Sequence, residues 1–265
     1  MTKSSKVLRK IISDFYMVLI LIFLYAPILT MMVLSFNKSK SSTQWGGFTL
    51  QWYTQMFDSR SIMSALTTTL IIAFVSALVA TVIGTAAAIS ISSMRTVPRT
   101  IVMGVTNIPM LNADIVTGIS LMLAFIAFGI SLGFKTVLIS HITFNIPYVI
   151  LSVMPKLKQT DKYTYEAALD LGASPLYAFF KVVFPDIMPG VLSGFLLAFT
   201  MSLDDFIITH FTKGAGINTL STLIYSEVRR GIRPSMYALS SIIFLTVLIL
   251  LIFVNFRSIK KPEKA

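Results

Sequence analysis

Residues 165–190 read YEAALDLGASPLYAFFKVVFPDIMPG. The stretch carries Glu166, Asp170, Lys181 and Asp186, although it lies between two segments that are apolar enough to dissolve in lipid. Its internal glycine at position 172, its Ser-Pro pair and the spacing of its apolar residues indicate two short helices joined by a sharp bend. A patterned, charged insert of this kind in an apolar chain predicts a loop with a task of its own.

Capping residues predict where these two helices begin and end. Thr160 or Asp161 can cap the first helix. Gly172 is suited to end it, because glycine tolerates the left-handed conformation that follows a helix. Ser174 and Pro175 then restart a helix, the serine as N-cap and the proline as first helical residue.

The second helix has one apolar face, formed by Leu176, Phe179, Phe180 and Val183 at helical spacing. Pro185 is expected to close this helix.

The first helix is slim on one side, because Ala167 and Ala168 are adjacent and small. Two interpretations follow. Such a helix can dock in a groove of another protein, with Glu166 available to a basic partner at the rim. Alternatively, it lies on the membrane surface as an interfacial helix.

The composition of the whole chain is that of an integral membrane protein. Of 265 residues, 55% are hydrophobic and 12% are charged, and the mean hydropathy is +0.81. Soluble domains contain about 25% charged residues. Because there is no cysteine, disulfide frameworks and thiolate chemistry are excluded. His141 and His210 have no metal-ligand spacing, so no metal site is expected. The net charge of +11 is interpreted through the position of the basic residues relative to the membrane, and not as evidence of nucleic-acid binding.

Hydropathy predicts six membrane spans, each near the ~20 residues that a bilayer core requires. The predicted spans are Phe15–Phe36, Ser64–Ile91, Asp114–Phe134, Val137–Met154, Gly190–Phe211 and Met236–Phe256. The apolar stretch Ile101–Leu111 is too short for a seventh. It is either the approach to the third span or a broken, re-entrant piece.

Charge placement predicts the orientation and the domain limits. With the N-terminus inside, cytoplasmic segments hold fourteen of the 22 basic residues, which is the positive-inside bias. Six spans then leave both termini in the cytoplasm. The predicted organisation is an N-terminal segment 1–14, a membrane domain 15–256 with a cytoplasmic loop 156–189, and a tail 257–265.

Small residues recur every four positions in two of the predicted spans. Such stripes let helix backbones approach closely in lipid. They pack either within the chain or against a second membrane subunit. The two stripes are Ser76, Ala80, Gly84 and Ala88, and Gly190, Gly194 and Ala198.

The quoted loop resembles the EAA loop of ABC-importer permeases. The family pattern is E-A-A, three residues, G, nine residues, then I-x-L-P. Here Glu166, Ala167, Ala168, Gly172 and Pro185 match, whereas valine and phenylalanine replace the isoleucine and leucine. The resemblance implies that these five residues couple the membrane domain to a separate ATPase.

The likeness extends from the second span to the sixth. Four further segments resemble the spermidine/putrescine permeases of PotC type: Ala113–Ser120, Ser140–Phe144, Asp170–Ser174 and Ser202–Phe206. This resemblance implies an all-α membrane protein with the six-helix, MetI-like permease fold and a cytoplasmic coupling helix. It also implies a bacterial inner-membrane location and three kinds of partner: an ATPase dimer, a second homologous permease and an external polyamine-binding protein. No cofactor is implied.

Three carboxylates fall within predicted spans: Asp114, Asp204 and Asp205. A charge at the bilayer centre costs about 2.5–3.5 kcal/mol on insertion scales, so each is a candidate contact for the cargo. Adjacent residues point about 100° apart on a helix, so at most one of the Asp204–Asp205 pair faces a pathway squarely. Alternatively, the pair marks a break in the fifth span and is satisfied locally, and Asp114 is an N-cap.

Aromatic side chains complete the predicted pathway. A polyamine needs carboxylates for its ammonium groups and aromatic faces for its methylene chain. Phe206, Tyr148 and Phe144 are the candidates. His141 is interpreted as a packed polar residue.

Signatures of nucleotide binding and hydrolytic catalysis are missing from the sequence. There is no G-x-x-x-x-G-K-[ST] motif, no G-x-S-x-G and no H-E-x-x-H. The chain is therefore predicted to be a transport subunit without catalytic residues. Three functions stay open: an ABC permease for polyamines, an ABC permease for another small solute, and an ion-coupled carrier that uses the aspartates as cation sites.

Overall fold

The computed structural model of the chain describes residues 3–259 and shows an all-α protein, as predicted. Twelve α-helices follow one another, and a five-residue π turn (Phe179–Val183) joins α8 to α9. The helices are α1 (Lys3–Leu34), α2 (Gln51–Asp58), α3 (Arg60–Ser92), α4 (Thr96–Leu111), α5 (Asp114–Ala127), α6 (Phe134–Gln159), α7 (Lys162–Asp170), α8 (Pro175–Ala178), α9 (Phe184–Asp204), α10 (Ile207–Thr212), α11 (Leu220–Arg230) and α12 (Pro234–Ile259). Residues 260–265 of the predicted tail lie outside the described residues.

Helices contact one another within two compact units, one formed by the chain up to Met63 together with the chain from Ile224, and one formed by Ser64–Leu223. In the first unit, α12 packs against α1 and α2. The buried Trp52 anchors the loop before α2, because its indole Nε1 donates to the carbonyl oxygen of Asn37 at 2.7 Å.

The second unit is built around α6, which packs against both α3 and α9. A β-carbon on Gly84 of α3 would lie 2.7 Å from Cβ of Val149, and one on Gly190 of α9 would lie 3.0 Å from the carbonyl oxygen of Ser152. Only glycine permits contacts this close. Both small-residue stripes therefore pack within the chain, against α6.

Four described helices are long and apolar enough to cross a membrane, and a fifth crossing is possible if α4 and α5 form one broken span. The predicted count of six is not confirmed. The sixth predicted span lies on α12, where the apolar stretch is described over Pro234–Thr246, so its length stays a prediction.

The third and fifth predicted spans differ from the helices observed. The helix that starts at Asp114 ends at Ala127, because Gly129 adopts a φ of +69° and the Ile130 amide turns back to the carbonyl oxygen of Phe125 at 2.8 Å. The fifth predicted span, Gly190–Phe211, is interrupted, because α9 ends at Asp204 and α10 begins at Ile207.

The apolar stretch 101–111 belongs to a separate helix, α4. The axes of α4 and α5 meet at 103°. Pro109 does not cause this bend, since it lies inside α4; the backbone instead becomes extended at Asn112 and Ala113. This is the broken or re-entrant arrangement that was one of the two alternatives.

The prediction that Pro185 closes the second loop helix is wrong, because the helix continues from Pro175 through to Asp204. The π turn explains why. The Phe184 amide donates to the carbonyl oxygen of Phe179, five residues back, so the turn just before Pro185 is wider than an α turn. There the missing N–H and the bulk of the proline ring are accommodated.

Candidate coupling segment and polar pathway

The coupling segment, defined here as residues 162–183, is held by the caps that the sequence predicts. Asp161 caps α7, as its carboxylate accepts from the Tyr163 amide at 3.0 Å, while Thr160 instead closes α6. Gly172 adopts a φ of +87°, and the next amide returns to the carbonyl oxygen of Ala168 at 3.1 Å. Ser174 caps α8 by accepting from the Tyr177 amide at 3.3 Å.

Apolar side chains of the coupling segment are left uncovered. Leu171 is 89% exposed, Leu176 is 73% exposed and Tyr163 is 77% exposed. The predicted apolar face of the second helix is split, because Leu176 and Phe180 are exposed whereas Phe179 and Val183 are half-buried. The segment therefore presents an apolar surface that this unit does not bury.

Four of the five motif residues are exposed as well. Glu166, Ala167, Gly172 and Pro185 are exposed, and Ala168 is half-buried. Among the described residues, no salt bridge involves Glu166. Its carboxylate is thus available to a basic group.

The helix break at residues 204–206 is formed by Asp205. Its Oδ1 accepts from the Ile208 amide at 3.2 Å, and its Oδ2 accepts from the Thr209 amide at 2.8 Å and the Thr209 hydroxyl at 2.9 Å. These bonds satisfy first-turn amides of α10. The alternative in which the pair marks a break is therefore confirmed for Asp205.

Buried polar groups connect this break to two other helices, α6 and α3. His141 of α6 is 2% exposed; its Nδ1 lies 2.6 Å from Oγ of Ser202, and its Nε2 lies 2.9 Å from Oγ1 of Thr209 and 3.4 Å from Oδ2 of Asp205. Ser202 in turn accepts from Ser76 of α3 at 3.1 Å. His141 is thus a packed polar residue, as predicted.

Hydrogen bonds link the members of this cluster in one continuous path. Thr209 donates to Asp205, so the Thr209 oxygen accepts from His141 Nε2–H. Ser76 donates to Ser202 and accepts from Asn145 Nδ2 at 3.4 Å. The path therefore connects Asn145 to the Asp205 carboxylate through the Ser202–His141 contact.

Asp204, by contrast, takes no part in the buried cluster. Its side chain is exposed, and among the described residues no hydrogen bond or salt bridge to it is formed. Of the two neighbouring carboxylates, one is used by the fold and one is not.

A second group of predicted residues lies further along α6. The Phe144 and Tyr148 ring centroids are 5.2 Å apart. The exposed Asp114, in the first turn of α5, is close enough to the Tyr148 hydroxyl to act on it electrostatically. Tyr148 lies seven residues beyond His141 on α6, a rise of about 10 Å, so this group and the 204–206 break occupy two levels.

Phe206 packs against α10. Its ring centroid is 5.2 Å from the His210 ring, one turn along α10. Sequence reasoning missed Thr209 altogether; a hydroxyl four residues after an aspartate that starts a helix was the only signal.

Comparisons with known proteins show which family the chain resembles. Residues 80–259 match the family described as binding-protein-dependent transport system inner membrane component. The putrescine transport system permease protein PotI of Escherichia coli K12 is 39% identical over 228 residues, covering 83% of this chain and 81% of PotI. The spermidine/putrescine transport system permease protein PotC is 38% identical in E. coli K12, covering 89% of this chain and 90% of that protein. Its Haemophilus influenzae counterpart is 36% identical, covering 92% and 95%.

Solved structures share the fold. A chain of a bacterial ABC transporter involved in the import of the acidic polysaccharide alginate matches with a TM-score of 0.70 at 18% identity, covering 98% of both chains. The same kind of transporter in complex with a pentasaccharide-bound periplasmic protein matches at 0.67 and 17% identity, covering 97% of this chain and 95% of that one. With two-thirds of the sequence inside the family match, the chain belongs to the binding-protein-dependent inner membrane components, the permease subunits of ABC importers.

Proposed function

We propose that this chain is a permease subunit of an ABC importer for the polyamines spermidine and putrescine. The observation that carries the proposal is the similarity, over 83–92% of the chain, to permeases that are named for these two cargoes. Family membership removes the ion-coupled carrier from the alternatives. The remaining alternative is an ABC permease for another small solute, and an uptake experiment must distinguish it from the proposal.

Coupling is proposed to run through the exposed apolar surface of the coupling segment. A groove on a cytoplasmic ATPase covers Leu171 and Leu176, while Glu166 meets a basic residue at its rim. The helix is continuous from Pro175 to Asp204, so a displacement of the segment reaches the 204–206 break directly. ATP hydrolysis itself takes place on the partner.

The cargo pathway is proposed to use two levels of contact. Asp204 offers a carboxylate with no partner among the described residues, which suits a primary ammonium group. At the level of Tyr148, which is a rise of about 10 Å along α6 from His141, Asp114 offers a second carboxylate, and the Tyr148 and Phe144 rings suit methylene and cation–π contacts. Asp205 supports the break through its hydrogen bonds to α10, and Phe206 beside it is proposed as a further aromatic contact for the cargo.

The chain is proposed to be a multi-pass inner membrane protein with both termini in the cytoplasm, and to act within a larger assembly. A second homologous permease completes the pathway, an ATPase dimer docks on the coupling segments, and an external binding protein delivers the polyamine. Similarity to a transporter solved with its periplasmic protein supports the last of these partners.

The first test is uptake of labelled spermidine and putrescine in cells that lack other polyamine importers, with and without this chain. Uptake that requires the chain, and that stops when ATP is depleted while the ion gradient is held, supports the proposal. If neither polyamine enters, the cargo assignment is wrong and the family assignment stands.

Replacing the free carboxylate tests the pathway. Asp204→Asn is expected to raise the KM for spermidine uptake about tenfold, because a charge-assisted hydrogen bond contributes roughly 1.5–3 kcal/mol. Asp58→Asn removes an exposed carboxylate from α2 and is the matched control, expected to leave KM unchanged. Equal KM values in wild type and Asp204→Asn would remove this residue from the pathway.

A further inference from the structure

A groove of about 550 Å³ lies between α4 and the C-terminal end of α6. No carboxylate lines it. The residues that give it its chemical character are Thr96, Arg99, Thr100, Gly104, Asn107 and Lys158.

Two cations in this groove lack a counter-charge. Arg99 is half-buried, and its guanidinium rests on Sδ of Met154 at 3.7 Å; Lys158 is exposed. Among the described residues, neither forms a salt bridge. A planar guanidinium and a flexible ammonium beside threonine side chains suit a phosphate group.

An apolar stripe runs beside these polar residues along α4. Val97, Ile101, Val105 and Ile108 are all more than half exposed. Each directly follows a groove residue, Thr96, Thr100, Gly104 and Asn107 respectively, and so lies about 100° further round the helix. The polar groove and the apolar stripe are therefore parallel, which suits an amphiphile better than a free anion.

The depth of the groove matches a lipid headgroup. The 26 residues of α6 span about 39 Å at 1.5 Å each, more than the ~30 Å hydrocarbon core of a bilayer. Lys158, next to the last residue of α6, therefore lies at the headgroup level when Phe134 lies at the opposite boundary. Gly104 leaves the groove open, since a β-carbon there would meet no atom within 4 Å.

We propose that this groove binds an anionic phospholipid, with the headgroup phosphate between Arg99 and Lys158 and an acyl chain along the α4 stripe. Basic pockets between membrane helices bind such headgroups, and each basic side chain near the surface contributes attraction for anionic lipid. The lipid holds the N-terminal half of α4 against α6. This inference is independent of which cargo is transported.

Native mass spectrometry of the full chain, purified with the subunits that accompany it, tests the proposal. Delipidated protein is titrated with phosphatidylglycerol, with phosphatidylcholine and with inorganic phosphate. The double variant Arg99→Gln/Lys158→Gln is expected to bind phosphatidylglycerol about tenfold more weakly. Gly104→Leu keeps both charges but fills the groove, and it is expected to weaken binding as well.

The matched control is Lys135→Gln, which removes one exposed cation from the opposite end of α6 and is expected to bind lipid like wild type. Thermal midpoints of all variants confirm that they remain folded. Equal retention of phosphatidylglycerol by every variant overturns the proposal, as does equal retention of phosphatidylcholine. Competition by inorganic phosphate would make the site one for a free anion, and loss of the ATPase subunit with lipid retention intact would assign the groove to that subunit.

Discussion

The 204–206 break and the coupling segment place their unusual side chains in opposite ways. At the break, polar groups from α3, α6, α9 and α10 are buried and hydrogen-bonded to one another. In the coupling segment, apolar side chains such as Leu171 and Leu176 are exposed to solvent. The first arrangement costs little because its partners are present, whereas the second leaves apolar surface uncovered.

This difference separates side chains whose partners lie within the chain from side chains that are exposed and could bind another subunit or the cargo. Neighbours in sequence can fall on either side: the Asp205 carboxylate accepts three hydrogen bonds, and the exposed Asp204 carboxylate accepts none among the described residues. Substitutions at the break should therefore lower the stability of the protein, whereas substitutions in the coupling segment should lower the rate of transport.

The largest effect is expected for Asp205→Ala. It leaves the Thr209 hydroxyl and two backbone amides without their acceptor, which should cost about 3 kcal/mol of stability. The measurement is the thermal midpoint of the purified protein in detergent. Asp204→Ala removes the neighbouring exposed carboxylate and should leave the midpoint unchanged; similar losses in both variants would contradict the distinction.

Gly172→Val should come next, with an effect on transport and little on stability. A β-branched residue at a φ of +87° forces the bend between α7 and α8 to change, which should lower polyamine uptake more than about tenfold while membrane insertion persists. Gly216→Val imposes strain at the same φ of +87° in another exposed loop. Uptake that falls equally in both variants would mean that the geometry of the coupling segment has no special role.

The smallest effect is expected for Ser174→Ala, which removes the N-cap of α8. Loss of such a cap costs about 1 kcal/mol, so uptake should fall by up to about fivefold. Ser193→Ala removes an exposed hydroxyl that bonds within α9 and caps nothing, so its initial uptake rate should match wild type. A rate for Ser174→Ala as high as that of Ser193→Ala would show that the cap does not set the segment's geometry.

Local features of the fold could be predicted because their partners are close in sequence. Asp161, Gly172 and Ser174 each act on groups within about four residues, and all three behave as their residue types predict. The helix break was foreseen as one of two alternatives for the same reason, since Asp205 caps the turn that follows it.

Other features could not be predicted, because they depend on distant partners or on exceptions to local rules. His141 meets Ser202 across 61 residues, and Ser76 meets Ser202 across 126, so nothing local to these side chains points to the cluster. Hydropathy alone did not reveal that α5 stops at Ala127, since the residues that follow are also largely apolar. Pro185 failed as a stop signal because the π turn precedes it.

The π turn also determines how many residues must lie between Gly172 and α9. A π turn holds one more residue than an α turn, so it sets α9 about 100° out of phase with a regular continuation of α8. Deleting one residue between Phe179 and Val183 would restore a regular helix and rotate Gly190 and Gly194 away from α6. Bulky side chains would then face Val149 and Ser152, where only glycine fits. The number of residues in the π turn is therefore fixed by the coupling segment before it and by the glycine contacts of α9 after it.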